Sequence, residues 1–187
     1  MLVFWTEISG LDASRARYPG RSRARGSAFG VSLLAWATQM VWGISLPEIG
    51  TQESGRPYFP ACPELHFSIS HTKTAVLVAL SAYPVGADVE QRRAVRPTLE
   101  RLLTETPCGD LDLFELWTLR ESYYKLTGCG SLRTIPFSRE KGVLIPPEEG
   151  VLCRVYDDVP GCAAAVCSME EQPPERLQFV DQAWICT

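Results

Sequence analysis

Apolar and polar positions alternate from Leu2 to Ile8, with Phe4 and Trp5 as bulky members, and predict a first β-strand. From Phe29 to Leu46 the period changes. Phe29, Leu33, Trp36, Met40 and Ile44 recur at helical spacing, which predicts an amphipathic, largely buried helix rather than a membrane span. Ser32, Thr38 and Gln39 interrupt its apolar run. Leu65 to Ser70 alternates again, with Leu65, Phe67 and Ile69 on one face and His66, Ser68 and Ser70 on the other. Thr74 to Ser81 is rich in Val, Leu and Ala, as a strand buried on both faces would be. Ser70-His71-Thr72-Lys73 is the polar turn between them, and Gly86 to Glu90 predicts a third strand.

Arg92 to Thr106 is a weakly amphipathic helix and loop. A stronger helical pattern follows over Asp110 to Thr127, with acids at its start, Gly109 before it and Gly128 after it. The last third is strand-like, at Gly142 to Ile145, Val151 to Val155, Cys162 to Cys167 and Leu177 to Ile185, separated by Pro146-Pro147, Pro160-Gly161 and Pro173-Pro174. The order strand, helix, strands, then helix, strands predicts an α+β fold of two similar halves, 1–84 and 85–187. Each half would be a helix packed on a small antiparallel sheet. No sequence repeat relates them, so the duplication rests on element order.

Composition narrows the function classes. Of 187 residues, 45% are hydrophobic and 21% charged, as in an ordinary globular chain with a substantial core. A net charge of -4 argues against broad nucleic-acid binding. One basic stretch stands out: Arg15, Arg17, Arg21, Arg23 and Arg25 precede the first helix. It is either a solvated loop or an anion site, since arginines at a helix start can grip a phosphate beside free N–H groups. The seven cysteines lack C-x-x-C spacing and accompany only two histidines, which fits buried thiols of a reducing compartment better than a disulfide framework or a zinc site. The opening MLVFWTEISG has neither a basic leader nor a long apolar core, so a cytoplasmic protein is expected.

Two features carry chemistry. Asp88 and Glu90 lie on one face of a strand, with Val89 directed into apolar packing. Like charges this close repel unless a cation lies between them or one takes up a proton, and a hard divalent ion such as Mg²⁺ suits the carboxylates. In the second helix the row Leu113, Trp117, Glu121, Lys125 passes from apolar to charged. That is either an exposed i,i+4 ion pair worth a few tenths of a kcal/mol or a stripe leaving the core to enter a cleft.

Four blocks, in order, resemble those of the 4′-phosphopantetheinyl transferases of the long, monomeric, surfactin-synthetase-activating type. Gly55-Arg56-Pro57 is similar to the family's G-K-P, and Phe67 to His71 to its F-x-x-S-H. Val85 to Glu90 is similar to V-G-x-D-x-E, and Trp117 to Lys125 to W-x-x-K-E-x-x-x-K. Arg56 and Arg120 stand where the family has lysine, and the region before Gly26 is shorter than usual.

The resemblance implies a pseudo-dimeric fold, monomeric in chain count, with coenzyme A between the halves. It implies transfer of phosphopantetheine to a serine of an apo acyl or peptidyl carrier protein, with release of 3′,5′-ADP. Asp88, Glu90 and Glu121 would hold Mg²⁺. A serine hydroxyl also needs a base, which a carboxylate of the cleft supplies, Glu121 directly or through a water. Arg56, Ser70 and His71 would contact the nucleotide phosphates and Lys125 the diphosphate, while Arg25 and Ser27 would lie near the 3′-phosphate. The rival expectations are a non-catalytic carrier-binding relative and another metal-dependent enzyme that cleaves diphosphates.

Overall fold

The computed structural model describes residues 1–22 and 24–187, and of Leu99, Leu102 and Leu103 the backbone only. Arg23, one of the basic-stretch arginines, therefore lies outside the described residues. In chain order the elements begin with β1 (Leu2–Glu7), α1 (Arg25–Trp42), β2 (Gly50–Thr51) and β3 (Pro57–Tyr58). They continue with β4 (His66–His71), β5 (Ala75–Ser81), β6 (Val85–Gln91), α2 (Pro97–Leu103) and α3 (Leu113–Thr127). The last are β7 (Ser138–Glu140), β8 (Val143–Ile145), β9 (Leu152–Tyr156), β10 (Cys162–Ser168) and β11 (Gln178–Phe179).

Period-two alternation sorts the strand residues into layers. One sheet has the order β11-β1-β5-β4 and a second β6-β10-β9. On β5, Val76, Val78 and Leu80 pack with Phe29, Leu33 and Leu34 of α1, whereas Ala75, Leu77 and Ala79 face the other way. There they meet Val85, Ala87 and Val89 of β6 and Ala164 and Val166 of β10. The opposite face of the second sheet carries Ala165 and Cys167 under Leu116 and Leu119 of α3. The result is a mixed α+β protein in which each sheet carries a helix and the two sheets share an apolar core. Val89 does point into that core, so its neighbours Asp88 and Glu90 are turned toward α3.

Element ends follow local chemistry. α1 begins at Arg25, four residues before the apolar period starts, and stops at Trp42 because Gly43 adopts φ 68° and donates its N–H to Gln39 O. Asp112 caps α3 in a capping box with Glu115, so the acids expected inside the helix partly precede it. α2 is shorter than the stretch Arg92 to Thr106, starting at Pro97, whose missing N–H costs nothing in a first turn. The expected strand Leu177 to Ile185 is cut to two residues, because Asp181 accepts a hydrogen bond from Ala183 N and turns the chain into a 3-10 helix.

The last residues cross back to the first sheet. β11 pairs with β1 in parallel, so that sheet is mixed rather than purely antiparallel. Val180, Ile185 and Cys186 pack in the core beneath α1. Among the described residues, no helix is long and apolar enough to cross a membrane.

Candidate active site

Close approach of backbone to backbone builds the site. A Cβ on Gly86 would lie 1.9 Å from Ser122 O and 2.7 Å from Leu126 N, so α3 rests directly on the β6 backbone there. That contact sets Asp88, two residues along β6, against the last turns of α3. Lys125 Nζ donates to Asp88 Oδ1 at 2.6 Å and to Ala87 O at 3.2 Å. Ser70 Oγ of β4 donates to the same Asp88 oxygen at 2.7 Å. Residues from three elements, Ser70, Asp88 and Lys125, thus meet at one carboxylate that is only 3% exposed. Its other oxygen, Oδ2, is buried and has no hydrogen-bond partner among the described residues. An orphaned buried acceptor is costly unless something cationic or protic completes it.

The two glutamates share this field. Burial, reinforced by the Asp88 charge, pushes the Glu90 carboxyl up to about 7, with Arg93 pulling the other way and Glu121 adding to the rise. Arg93 Nη1 lies 3.9 Å from Glu90 Oε2. Burial and Asp88 also raise Glu121, opposed by Lys125 and by a hydrogen bond from Trp117 one turn earlier. Glu121 and Lys125 are therefore not an exposed surface pair, since both face Asp88. His71 is held below the usual histidine range by burial and by the Lys125 charge, while Asp88 opposes.

Hard carboxylate oxygens of this number, with one buried oxygen unsatisfied and two raised affinities for a proton, suit a divalent cation chemically. Among the described residues, however, no three His, Cys, Asp or Glu side chains close into a metal-ligating cluster. Lys125 instead donates to Oδ1 of Asp88.

The remaining expected residues split into two groups. His71 is the last residue of β4 rather than part of the turn, and it packs against the start of α1, where a Cβ on Gly26 would meet its ring at 2.5 Å. The α1 end near His71 also carries Arg25 and Ser27, but both are engaged by protein. Arg25 donates to Leu11 O and Lys73 O, and Ser27 Oγ accepts from Ser22 N. Arg56 likewise spends its fork on carbonyls, donating to Leu126 O at 2.9 Å and to Val85 O at 3.3 Å. A cation at the C-terminal carbonyls of α3 is favourably placed in the helix field. Arg120 is fully buried and donates to Ile135 O after α3 and to Thr106 Oγ1 before it, tying the segments that flank the helix.

A cleft of about 240 Å³ opens beside Lys125, bounded by Ser54 to Pro57, by Phe67 to Ile69 of β4, and by Tyr124 and Gly128. It lies where the first sheet meets α3. Ser68 at its wall escaped the sequence reading. Its Oγ accepts from Ala87 N at 2.9 Å and donates to Ala87 O at 3.4 Å, pinning β4 to β6 although they belong to different sheets. The signal was present as the second hydroxyl on the polar face of Phe67 to Ser70.

The sequence is 29% identical over 173 residues to a 4′-phosphopantetheinyl transferase of Bacillus subtilis, covering 81% of this chain and 77% of the relative. It is 32% identical over 149 residues to the 4′-phosphopantetheinyl transferase Sfp of Bacillus subtilis strain 168, covering 70% and 66% respectively. This chain belongs to the 4′-phosphopantetheinyl transferase family. A further 4′-phosphopantetheinyl transferase, from Bacillus pumilus, is 26% identical over 178 residues, covering 84% of this chain and 76% of the relative. No protein-family model matches the chain. In this family member Ser70 of the first sheet and Lys125 of α3 meet at the buried carboxylate of Asp88 of the second sheet.

Proposed function

We propose that this protein transfers the 4′-phosphopantetheine arm of coenzyme A to a serine of an apo acyl or peptidyl carrier protein, releasing 3′,5′-ADP. The observation that carries the reading is the meeting of Asp88 of β6 with Lys125 of α3 beside an open cleft, within the fields of Glu90 and Glu121. Asp88, Glu90 and Glu121 would hold Mg²⁺, which when bound neutralises charge on the diphosphate oxygens. Lys125 would release Asp88 to the metal and turn toward the departing phosphate. Glu121, whose carboxyl burial and Asp88 hold above the usual carboxylate range, would accept the proton of the attacking serine hydroxyl. The serine oxygen then bonds to the phosphorus that carries the pantetheine arm, and the bond from that phosphorus to the bridging oxygen breaks. Ser70 and His71 would face the nucleotide phosphates.

Arg56, Arg25 and Ser27 join the ligand in this reading only by exchanging their present protein partners for phosphate oxygen, which guanidinium forks bind well. We further read residues 1–84 and 85–187 as two halves of a pseudo-dimer acting as a monomer in the cytoplasm, with neither nucleic acid nor a membrane as partner.

The test is intact mass. With Mg²⁺ and coenzyme A, an apo carrier domain should gain one phosphopantetheine, and 3′,5′-ADP should appear in place of free phosphate. Asp88→Ala and Glu121→Ala should each abolish the gain while the protein stays folded. No gain on fatty-acid, polyketide and peptide carriers alike refutes the reading, and full activity in either variant refutes the assignment of the carboxylates.

A further inference from the structure

Cys153 of β9 and Cys167 of β10 stand directly opposite each other in the antiparallel ladder. Their Sγ atoms are 2.7 Å apart, although both are free thiols. Opposed residues of an antiparallel pair have Cα atoms about 4.5–5.5 Å apart, inside the range of about 4.4–6.8 Å that disulfides span. The register therefore places the two cysteines within the span of a disulfide. Cys167 is fully buried, with Sγ 3.1 Å from Ser122 Oγ and 3.9 Å from Leu119 O of α3. Cys153 is half-buried on the edge strand of its sheet, so it is the sulfur an oxidant can reach.

We propose that Cys153 and Cys167 form a redox pair, which a low-molecular-weight disulfide converts to an intramolecular disulfide that braces β9 to β10 beneath the helix carrying Glu121 and Lys125. The Cys153 thiolate attacks one sulfur of the oxidant, whose S–S bond breaks and releases one thiol. Cys167 then gives up its proton and displaces the second thiol from the mixed disulfide. Two protein thiols are oxidised and one oxidant disulfide is reduced, the two protons ending on the released thiols. The hydrogen bond with Cys167 and burial hold the Cys153 thiol above the usual range, so exchange at neutral pH is slow. The sequence reading of buried thiols did not pair these two, because fourteen positions separate them and only strand register opposes them. The proposal does not depend on the transferase activity.

The experiment uses the full chain with Cys129→Ser, which removes the exposed competing thiol. The protein is held with oxidised glutathione for hours, alkylated under denaturing conditions, digested with trypsin and sequenced by mass spectrometry. A peptide pair bonded from Cys153 to Cys167, with fragment ions excluding Cys162, is expected, and dithiothreitol should reverse it. The closed form should melt about 5–10 °C higher, because it constrains the unfolded chain. Cys153→Ser and Cys167→Ser should each remove both effects. Alkylation of both cysteines, or a glutathione adduct that persists on Cys153, overturns the proposal. A linked pair without a higher Tm overturns its bracing role.

Discussion

Replacing Gly86 by alanine tests how the site is assembled. Gly86 has no left-handed φ to relieve, so conformational freedom is not why glycine stands there. At such a position the chain-entropy effect alone makes Gly→Ala stabilising by about 0.4–1 kcal/mol. Packing opposes this. Cβ contacts under 3.0 Å essentially do not occur, and here the added carbon would lie 1.9 Å from Ser122 O, a shortfall of about 1.1 Å. Both nearest atoms, Ser122 O and Leu126 N, are helix backbone, so no rotamer change can make room. α3 must shift or β6 must bend, and overpacking of this kind costs about 1–3 kcal/mol. The same shift would part Lys125 from Asp88, now 2.6 Å apart. Misplacement by about 1 Å near reacting groups can cost about 10²-fold in rate. Guanidinium denaturation followed by tryptophan fluorescence gives the stability change, and single-turnover carrier modification gives the rate. A Gly86→Ala protein as stable as the parent or more so would sink the claim that α3 bears on the β6 backbone. A destabilised variant with an unchanged rate would separate that packing from the chemistry.

Lys125→Met should lower stability by about 1–3 kcal/mol, since it leaves Asp88 buried without its cation, and adding Asp88→Asn should recover most of the loss in a double-mutant cycle. Because the Glu90 carboxyl is raised in the folded state, the folded protein holds the extra proton. Its contribution is therefore present at pH below about 4.5 and is lost as pH rises through about 7. Glu90→Gln should accordingly flatten the fall in metal-free stability across that window, measured by denaturation at several pH values, and an unaltered slope would count against it. Ser68→Ala strips Ala87 N of its buried acceptor and should cost about 1–3 kcal/mol in the same denaturation assay, with no loss meaning that the β4–β6 pin is idle.

The strands and helices were largely legible because burial imposes a period that the chain itself displays. β5 shows this best: its Val, Leu and Ala run is apolar on both faces because α1 covers one and the second sheet the other. The direction of Asp88 and Glu90 away from the core was equally legible, since alternation around Val89 allows nothing else. Cap chemistry moved the ends: Gly43 cut the first long helix short, and Asp112 left α3 to become its cap. The partners of the charged residues were not legible. A guanidinium can serve a phosphate or a carbonyl with the same fork, and only the approach of Leu126 O and Val85 O directs Arg56 to protein. Arg25 is turned to Leu11 O and Lys73 O in the same way.

Local order along the chain fixed which residues would be apolar, which would turn, and which acids would share a face, because those depend on period and on short-range hydrogen bonding. Contacts between distant stretches lie beyond that information: Lys125 on Asp88, Ser68 on Ala87, the return of β11 to β1, and the opposition of Cys153 to Cys167. Each depends on how two elements approach in space, and at Gly86 the absence of one carbon atom is what lets α3 come close enough.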